Sequence, residues 1–169
     1  MNFIDIITGT PIWVWVILGY LLVVGIMATR PTVVSLLKLG IMPSIFLWWS
    51  FYSIYLTCTA CWPLFILWVL VYTVSMMIGQ QITRNTNFSF DKNTRLFHIP
   101  GSWFPLLLSC SFFVVKYAMG ATYALIPEMR TNLMLMSVDV AISALIAGLA
   151  WGRYTVYLLT YRRNTRSNS

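Results

Sequence analysis

Two charged side chains, Lys116 and Asp139, each stand inside a long run of apolar residues. A charge at the centre of a bilayer costs about 2.5–3.5 kcal/mol, so such a residue usually has a charged partner or a polar cavity. The two runs are consecutive and joined by a short connection, which predicts antiparallel neighbouring helices. At a rise of about 1.5 Å per residue, each charge lies about 10–12 Å from the end of its helix that adjoins the short connection. This matched depth predicts an ion pair, which either handles a proton or substrate or only fixes helix packing.

Cys58 and Cys61 form a Cys-x-x-Cys spacing between the second and third apolar runs, and Cys110 lies within the fourth. Two cysteines so placed in an oxidising compartment can form a disulfide, and thiol oxidoreductases use such pairs. The alternatives are an inert disulfide or two small apolar side chains. The ligands are too sparse for zinc, which needs four, or three and a water. We therefore expect no metal and no cofactor.

His98, the only histidine, stands shortly before the fourth apolar run. A lone histidine without a carboxylate or nucleophile at a suitable spacing is more typical of a surface side chain than of a catalyst. Ser102 is the predicted N-cap of the next helix, and Gly101 permits a close approach of the backbone. We treat these residues as one motif, the helix-start motif: His98, Pro100, Gly101, Ser102 and Trp103. No nucleophile–base pair can be assembled, which favours a protein that is not an enzyme.

The composition indicates an integral membrane protein. Of the 169 residues, 59% are hydrophobic and 9% are charged, whereas a typical soluble domain has about 25% charged residues. A spanning helix needs about 20 apolar residues, and the apolar runs predict an all-α bundle of five such helices in one transmembrane domain, residues 1–163. The predicted helices cover residues 11–28, 39–57, 62–82, 103–124 and 133–157, followed by a disordered tail at 164–169.

The longest connection, residues 83–102, has an alternating apolar and polar pattern. Within it, residues 88–99 alternate around an Asp-Lys-Asn-Thr turn at 91–94, which predicts a β-hairpin. An isolated hairpin is only marginally stable in water. We therefore expect this hairpin to rest on the membrane surface or on the ends of the helices.

The positive residues predict an orientation in the membrane. Nine of the eleven Lys and Arg residues fall in alternate segments, and these nine are Arg30, Lys38, Arg84, Lys92, Arg95, Arg153, Arg162, Arg163 and Arg166. By the positive-inside rule that side is cytoplasmic, so the N-terminus lies outside and the C-terminus inside a cell (inner) membrane. The positive residues form no patch, which excludes a nucleic-acid partner despite the net charge of +7.

Ala144, Gly148 and Gly152 recur every four residues in the fifth predicted helix. Such a stripe of small residues lets two helix backbones approach closely. We expect it to contact the fourth helix, with a homodimer interface as the alternative. The matching small residues of the fourth helix are Ala118, Gly120 and Ala124.

Residues 95–106, Arg-Leu-Phe-His-Ile-Pro-Gly-Ser-Trp-Phe-Pro-Leu, are followed by Lys-Tyr-Ala-Met-Gly at 116–120. This combination resembles a DUF6622-like family of small bacterial inner-membrane proteins of unknown function, and Pro-Ile-Trp-Val-Trp at 11–15 fits it too. The resemblance covers most of the chain. It implies a polytopic bacterial membrane protein and brings no activity with it.

These observations predict a membrane protein that is surrounded by the lipid bilayer. The residues do not identify a small-molecule substrate. We expect a non-enzymatic, carrier-like or accessory protein with Lys116 and Asp139 as its polar pair. Its protein partner would be either a second copy of the chain or another membrane protein. The alternative function is a membrane thiol–disulfide or quinone-linked oxidoreductase that uses Cys58 and Cys61.

Overall fold

The computed structural model describes residues 12–57, 62–86, 88–91, 94 and 96–166. These residues are mostly helical, as the sequence predicts, and also form a small sheet. The α-helices are α1 (Ile12–Ala28), α2 (Leu36–Thr57), α3 (Trp62–Arg84), α4 (Phe104–Leu125) and α5 (Leu133–Arg166). The strands are β1 (Thr32–Val34), β2 (Ser89–Asp91) and β3 (Leu96–Ile99), and a 3-10 helix covers Pro127–Thr131.

Three of the described helices, α3, α4 and α5, are long and apolar enough to cross a membrane. The described part of α1 forms a shorter apolar helix. Large apolar side chains such as Leu70, Met77 and Leu107 are exposed on the outer faces of the spanning helices. Lipid accepts such faces without the cost that water imposes, so these helices indicate a membrane location.

The small-residue stripe of α5 faces α3, so the predicted contact with α4 is wrong. Gly148 packs against the backbone of Tyr72, and Gly152 packs against the backbone of Met76. A side chain at either glycine would collide with α3, which is why the two backbones can approach so closely. Residue numbers rise together along the two helices, so α3 and α5 run parallel.

The stripe of α5 packs on α3 because α3 carries a second set of small residues. Ser75, Gly79 and Thr83 recur every four residues and are all buried. A Cβ added at Gly79 would meet the backbone of Leu149 on α5. On α4, by contrast, a Cβ added at Gly120 would meet nothing within 4 Å. The residues proposed for that contact, Ala118, Gly120 and Ala124, are all exposed.

The remaining helices alternate in direction. Helix α2 runs antiparallel to α5, because Ser53 bonds to Asp139 while Gly40 lies against Tyr154. Helix α1 packs mainly against α4 and is also antiparallel to its partner, with Gly25 against Leu106 and Trp15 beside Tyr117. Helices α4 and α5 are antiparallel too, because Lys116 bonds to Asp139 while Arg153 lies over Phe104. Each of the five helices therefore points opposite to the one before it.

The predicted hairpin is present, and it belongs to a three-stranded antiparallel sheet. Strand β3 is central, with Phe90 of β2 opposite Phe97. The third strand, β1, pairs Val33 with His98 and was not predicted from the sequence. Since β1 connects α1 to α2 and the hairpin connects α3 to α4, both connections lie at one end of the bundle. We call this the sheet end.

Helix α5 continues to Arg166, past the predicted end at residue 157, so the predicted tail is helical over residues 164–166. The end of α5 packs on the sheet, with Tyr157 against Phe97 at 5.6 Å between ring centroids and Tyr161, in the extension, against Phe90 at 5.7 Å. This aromatic contact gives the last turns a partner that the local sequence does not reveal. The rest of the predicted tail, residues 167–169, lies outside the described residues.

Candidate functional site

Lys116 and Asp139 meet between α4 and α5, and a serine of α2 joins them. The Lys116 Nζ donates to Asp139 Oδ1 at 2.7 Å and to Ser53 Oγ at 3.1 Å. The Ser53 hydroxyl donates in turn to Asp139 Oδ2 at 2.9 Å. Each of the three side chains is therefore bonded to the other two. We call Ser53, Lys116 and Asp139 the polar centre.

The polar centre is enclosed, although not completely sealed. The side chain of Lys116 keeps 15% of its accessible surface, and that of Asp139 keeps 11%. Its neighbours along α2 and α5 are apolar and buried, among them Ile54, Val140 and Ala144. The opposite charges neutralise each other in these surroundings, which is the condition for keeping charged side chains away from water.

The helix directions explain why three separate elements meet here. Helix α2 runs antiparallel to α5, so Ser53 near its end lies level with Asp139 near the start of α5. The sequence offered one indication of this serine, because Ser50 and Ser53 are three residues apart and share a helix face. Ser50 is also used, since it accepts a hydrogen bond from the indole of Trp68 on α3 at 2.7 Å.

The geometry links the two charges to helix packing. Loss of either charge would leave the other uncompensated, which is strongly unfavourable in an apolar interior. A bound cation near Asp139, or an anion near Lys116, would compete for the same ion pair. Among the described residues, no group of three His, Cys, Asp or Glu side chains could hold a metal ion.

Cys58 and Cys61 lie outside the described residues, so the redox interpretation of this pair stays a prediction. Cys110, on α4, is a free thiol of intermediate burial. It lies six residues, or just under two turns, before Lys116 along the same helix.

Ser102 and Gly101 connect the start of α4 to the end of α1. The Ser102 hydroxyl accepts a hydrogen bond from the backbone N–H of Phe104 at 3.2 Å, while the cap position itself is Trp103, whose side chain forms no capping bond. Gly101 lies directly against the backbone of Thr29, where no side chain would fit. The motif therefore fixes one helix end against another.

The rest of the helix-start motif lies at the sheet end. His98 is exposed on β3, opposite Val33 and Ser89 of the two outer strands. Pro100 and Trp103 are exposed as well. None of the three takes part in the hydrogen bonds of the polar centre.

The model of a family of unknown function, DUF6622, matches residues 1–163 of the chain. No curated protein and no solved structure matches it. The match covers almost the whole sequence and confirms the resemblance carried by residues 95–106 and 116–120. The chain therefore belongs to the DUF6622 family, a family of unknown function.

Proposed function

We propose that this protein is a non-enzymatic, carrier-like membrane protein whose working part is the polar centre. The observation that carries the proposal is the closed set of hydrogen bonds among Ser53, Lys116 and Asp139. It joins three helices inside an apolar bundle. Ionisable residues inside membrane helices are rare, and they often mark an ion or substrate pathway.

The proposal includes five membrane crossings by a single domain, residues 1–163. The alternating directions of the helices support it, as does the grouping of positive residues. Arg30 and Lys38 flank β1, Arg84 ends α3, and Arg162 and Arg163 lie near the end of α5, all at the sheet end. A cytoplasmic sheet end in the inner membrane, with the N-terminus outside, follows from the positive-inside rule.

Thiol labelling in intact cells tests this orientation. A membrane-impermeant maleimide should reach Cys58 and Cys61, because they follow in sequence the end of α2 that lies opposite the sheet. A Cys110→Ser background removes the third thiol. Labelling only after the membrane is permeabilised would contradict the orientation. Labelling of intact cells only after reduction would reveal a disulfide and favour the oxidoreductase alternative.

A carrier needs a step in which binding changes packing, and the polar centre provides one. Proton or substrate binding at Asp139 would release Lys116 and loosen the junction of α2, α4 and α5. Release of the bound species would restore the ion pair. The junction of α2, α4 and α5 therefore has two states, one with the ion pair formed and one with it broken. The bound species shifts the equilibrium because it binds the state with the broken ion pair more tightly.

Charge movement after a pH jump tests the proposal directly. Purified protein is reconstituted into liposomes adsorbed on a capacitive electrode, and transient currents are recorded after a rapid change of external pH. The wild-type protein should give a current that protein-free liposomes do not give. The Lys116→Met/Asp139→Asn variant, which carries no charge at the centre, should fold and give no such current.

The matched control removes a polar contact elsewhere in the bundle. Gln80 of α3 donates to Thr155 of α5 at 3.1 Å, so Gln80→Met removes a part-buried hydrogen bond without touching the polar centre. This control should keep the current. A wild-type protein without charge movement, or an undiminished current in the double variant, contradicts the carrier proposal and leaves Lys116 and Asp139 as packing elements of an accessory protein.

A further inference from the structure

A cavity of about 350 Å³ lies at the sheet end, between α1, α2, α4 and α5. Its wall is almost entirely apolar, with Val24, Met42, Phe46, Leu108 and Ala150 among the lining residues. Small-molecule sites usually measure roughly 300–1,000 Å³. The cavity is therefore large enough for one flexible hydrocarbon chain or a comparably small apolar group.

Among the described residues, three cationic ones line the same cavity, namely Arg30, Lys38 and Arg153, and no acidic one does. The Arg153 guanidinium stands over the ring of Phe104 at 4.6 Å, which orients it beside the start of α4. Arg30 and Lys38 are exposed, and neither forms an ion pair within the described part of the chain. The positive charge at this site is therefore uncompensated by the residues that the structure describes.

Two further features of the cavity favour an anionic ligand. The start of α4 borders it through Phe104 and Pro105, and the partial positive charge of a helix N-terminus attracts anions. Tyr157 also lines the cavity, and its buried hydroxyl has no hydrogen-bond partner among the described residues. Buried hydroxyls usually have a partner, and the polar end of a ligand would supply one.

We infer that this cavity binds an anionic phospholipid, with one acyl chain between the helices and the phosphate at Arg30, Lys38 and Arg153. Apolar walls alone would accept any lipid, whereas the three cations select a negative headgroup. Basic pockets between helices on the cytoplasmic side are a known way of binding such headgroups. The inference goes beyond the proposed function, because the polar centre plays no part in it.

Native mass spectrometry of the purified protein tests this site. The protein is mixed with equal amounts of phosphatidylglycerol, which is anionic, and phosphatidylcholine, which is zwitterionic. Phosphatidylglycerol should be retained preferentially. Each Lys or Arg near an anionic lipid surface contributes roughly a factor of five, so Arg30→Gln/Lys38→Gln should weaken that binding about 30-fold.

The control removes two other cations from the sheet end. Arg162 and Arg163 are exposed on the last turns of α5 and do not line the cavity. Arg162→Gln/Arg163→Gln should therefore leave phosphatidylglycerol retention within twofold of the wild type. An equal loss in this control, or equal retention of the two lipids by the wild type, would overturn the inference.

Two further measurements separate the chain from the headgroup. Val24→Phe fills the cavity and keeps all the charges, so it should reduce phosphatidylglycerol retention. Unchanged retention would contradict the presence of an acyl chain in the cavity. Inorganic phosphate should not displace the lipid at millimolar concentration. Displacement by phosphate alone would show a simple anion site instead. Thermal unfolding of each variant establishes that it is folded before binding is compared.

Discussion

The two sides of α5 are built differently. Towards α3, backbone meets backbone at Gly148 and Gly152, and small residues line both helices. Towards α1, α2 and α4, the contacts are made by larger side chains, and they leave the cavity at the sheet end. The polar centre also lies on this second side, between α2, α4 and α5.

We call the side of α5 that faces α3 the scaffold side, and the side that faces α1, α2 and α4 the working side. A backbone-to-backbone contact leaves few side chains that could repack, so we expect α3 and α5 to move together as one pair. A contact through long side chains and one ion pair can adopt a second arrangement when a ligand or proton competes for it. Binding and conformational change should therefore be confined to α1, α2 and α4, moving against the α3–α5 pair.

The largest expected effect comes from adding methyl groups to the scaffold side. Gly148→Ala/Gly152→Ala places two Cβ atoms against the backbone of α3, and overpacking costs about 1–3 kcal/mol per site. We expect a loss of about 2–6 kcal/mol in the free energy of unfolding. Unfolding in mixtures of mild and denaturing detergent, followed by circular dichroism, measures it.

The control pair is Gly19→Ala/Gly120→Ala. A Cβ at either of these helical glycines would meet nothing within 4 Å. Alanine favours a helix over glycine by about 0.8–1.0 kcal/mol, so this pair should be neutral or more stable. Equal destabilisation by the two pairs would contradict the division of α5 into two sides.

Ser53→Ala should have a smaller effect than the two glycine substitutions. It removes a hydroxyl that bonds to both charges of the polar centre, and a hydrogen bond to a charged group contributes about 1.5–3 kcal/mol. The free energy of unfolding should fall by about that amount in the same detergent titration. Ser44→Ala, at an exposed serine of the same helix, is the control, and a loss as large as that of Ser53→Ala would contradict this role.

Tyr157→Phe should cause the smallest loss of stability, or none. The Tyr157 hydroxyl is buried without a hydrogen-bond partner among the described residues, so its removal relieves a desolvation cost of about 1–3 kcal/mol and leaves the aromatic packing intact. Thermal unfolding in detergent without added lipid should show an unchanged or raised midpoint. A clear drop in the midpoint would mean that the protein itself uses this hydroxyl.

Much of the helical architecture could be predicted from the sequence, because long apolar runs specify membrane helices locally. The hairpin was equally accessible through its alternating residues 88–99. Strand β1 was not, since three residues, Thr32–Val34, are too few to show a period. The extension of α5 depends on aromatic contacts between Tyr161 and the distant Phe90, which no local pattern encodes.

The candidate site divides along the same line. Depth along two consecutive helices was enough to predict that Lys116 meets Asp139, whereas Ser53 required knowing that α2 also packs on α5. Because α4 directly precedes α5 in the sequence, α4 was predicted to contact the small-residue stripe at Gly148. The four-residue spacing of Ser75, Gly79 and Thr83 on α3 was the overlooked indication, because matching stripes pack together whether or not their helices are consecutive.

A double-mutant cycle at Lys116 and Asp139 tests the central claim, that the two residues form one unit inside the membrane. Lys116→Met and Asp139→Asn each leave one buried group without its partner and should each cost about 3–5 kcal/mol of unfolding free energy. The double variant should cost less than either single one, giving a coupling energy above about 2 kcal/mol. If the two losses simply add to within about 0.5 kcal/mol, the residues act independently and the account of the polar centre is contradicted.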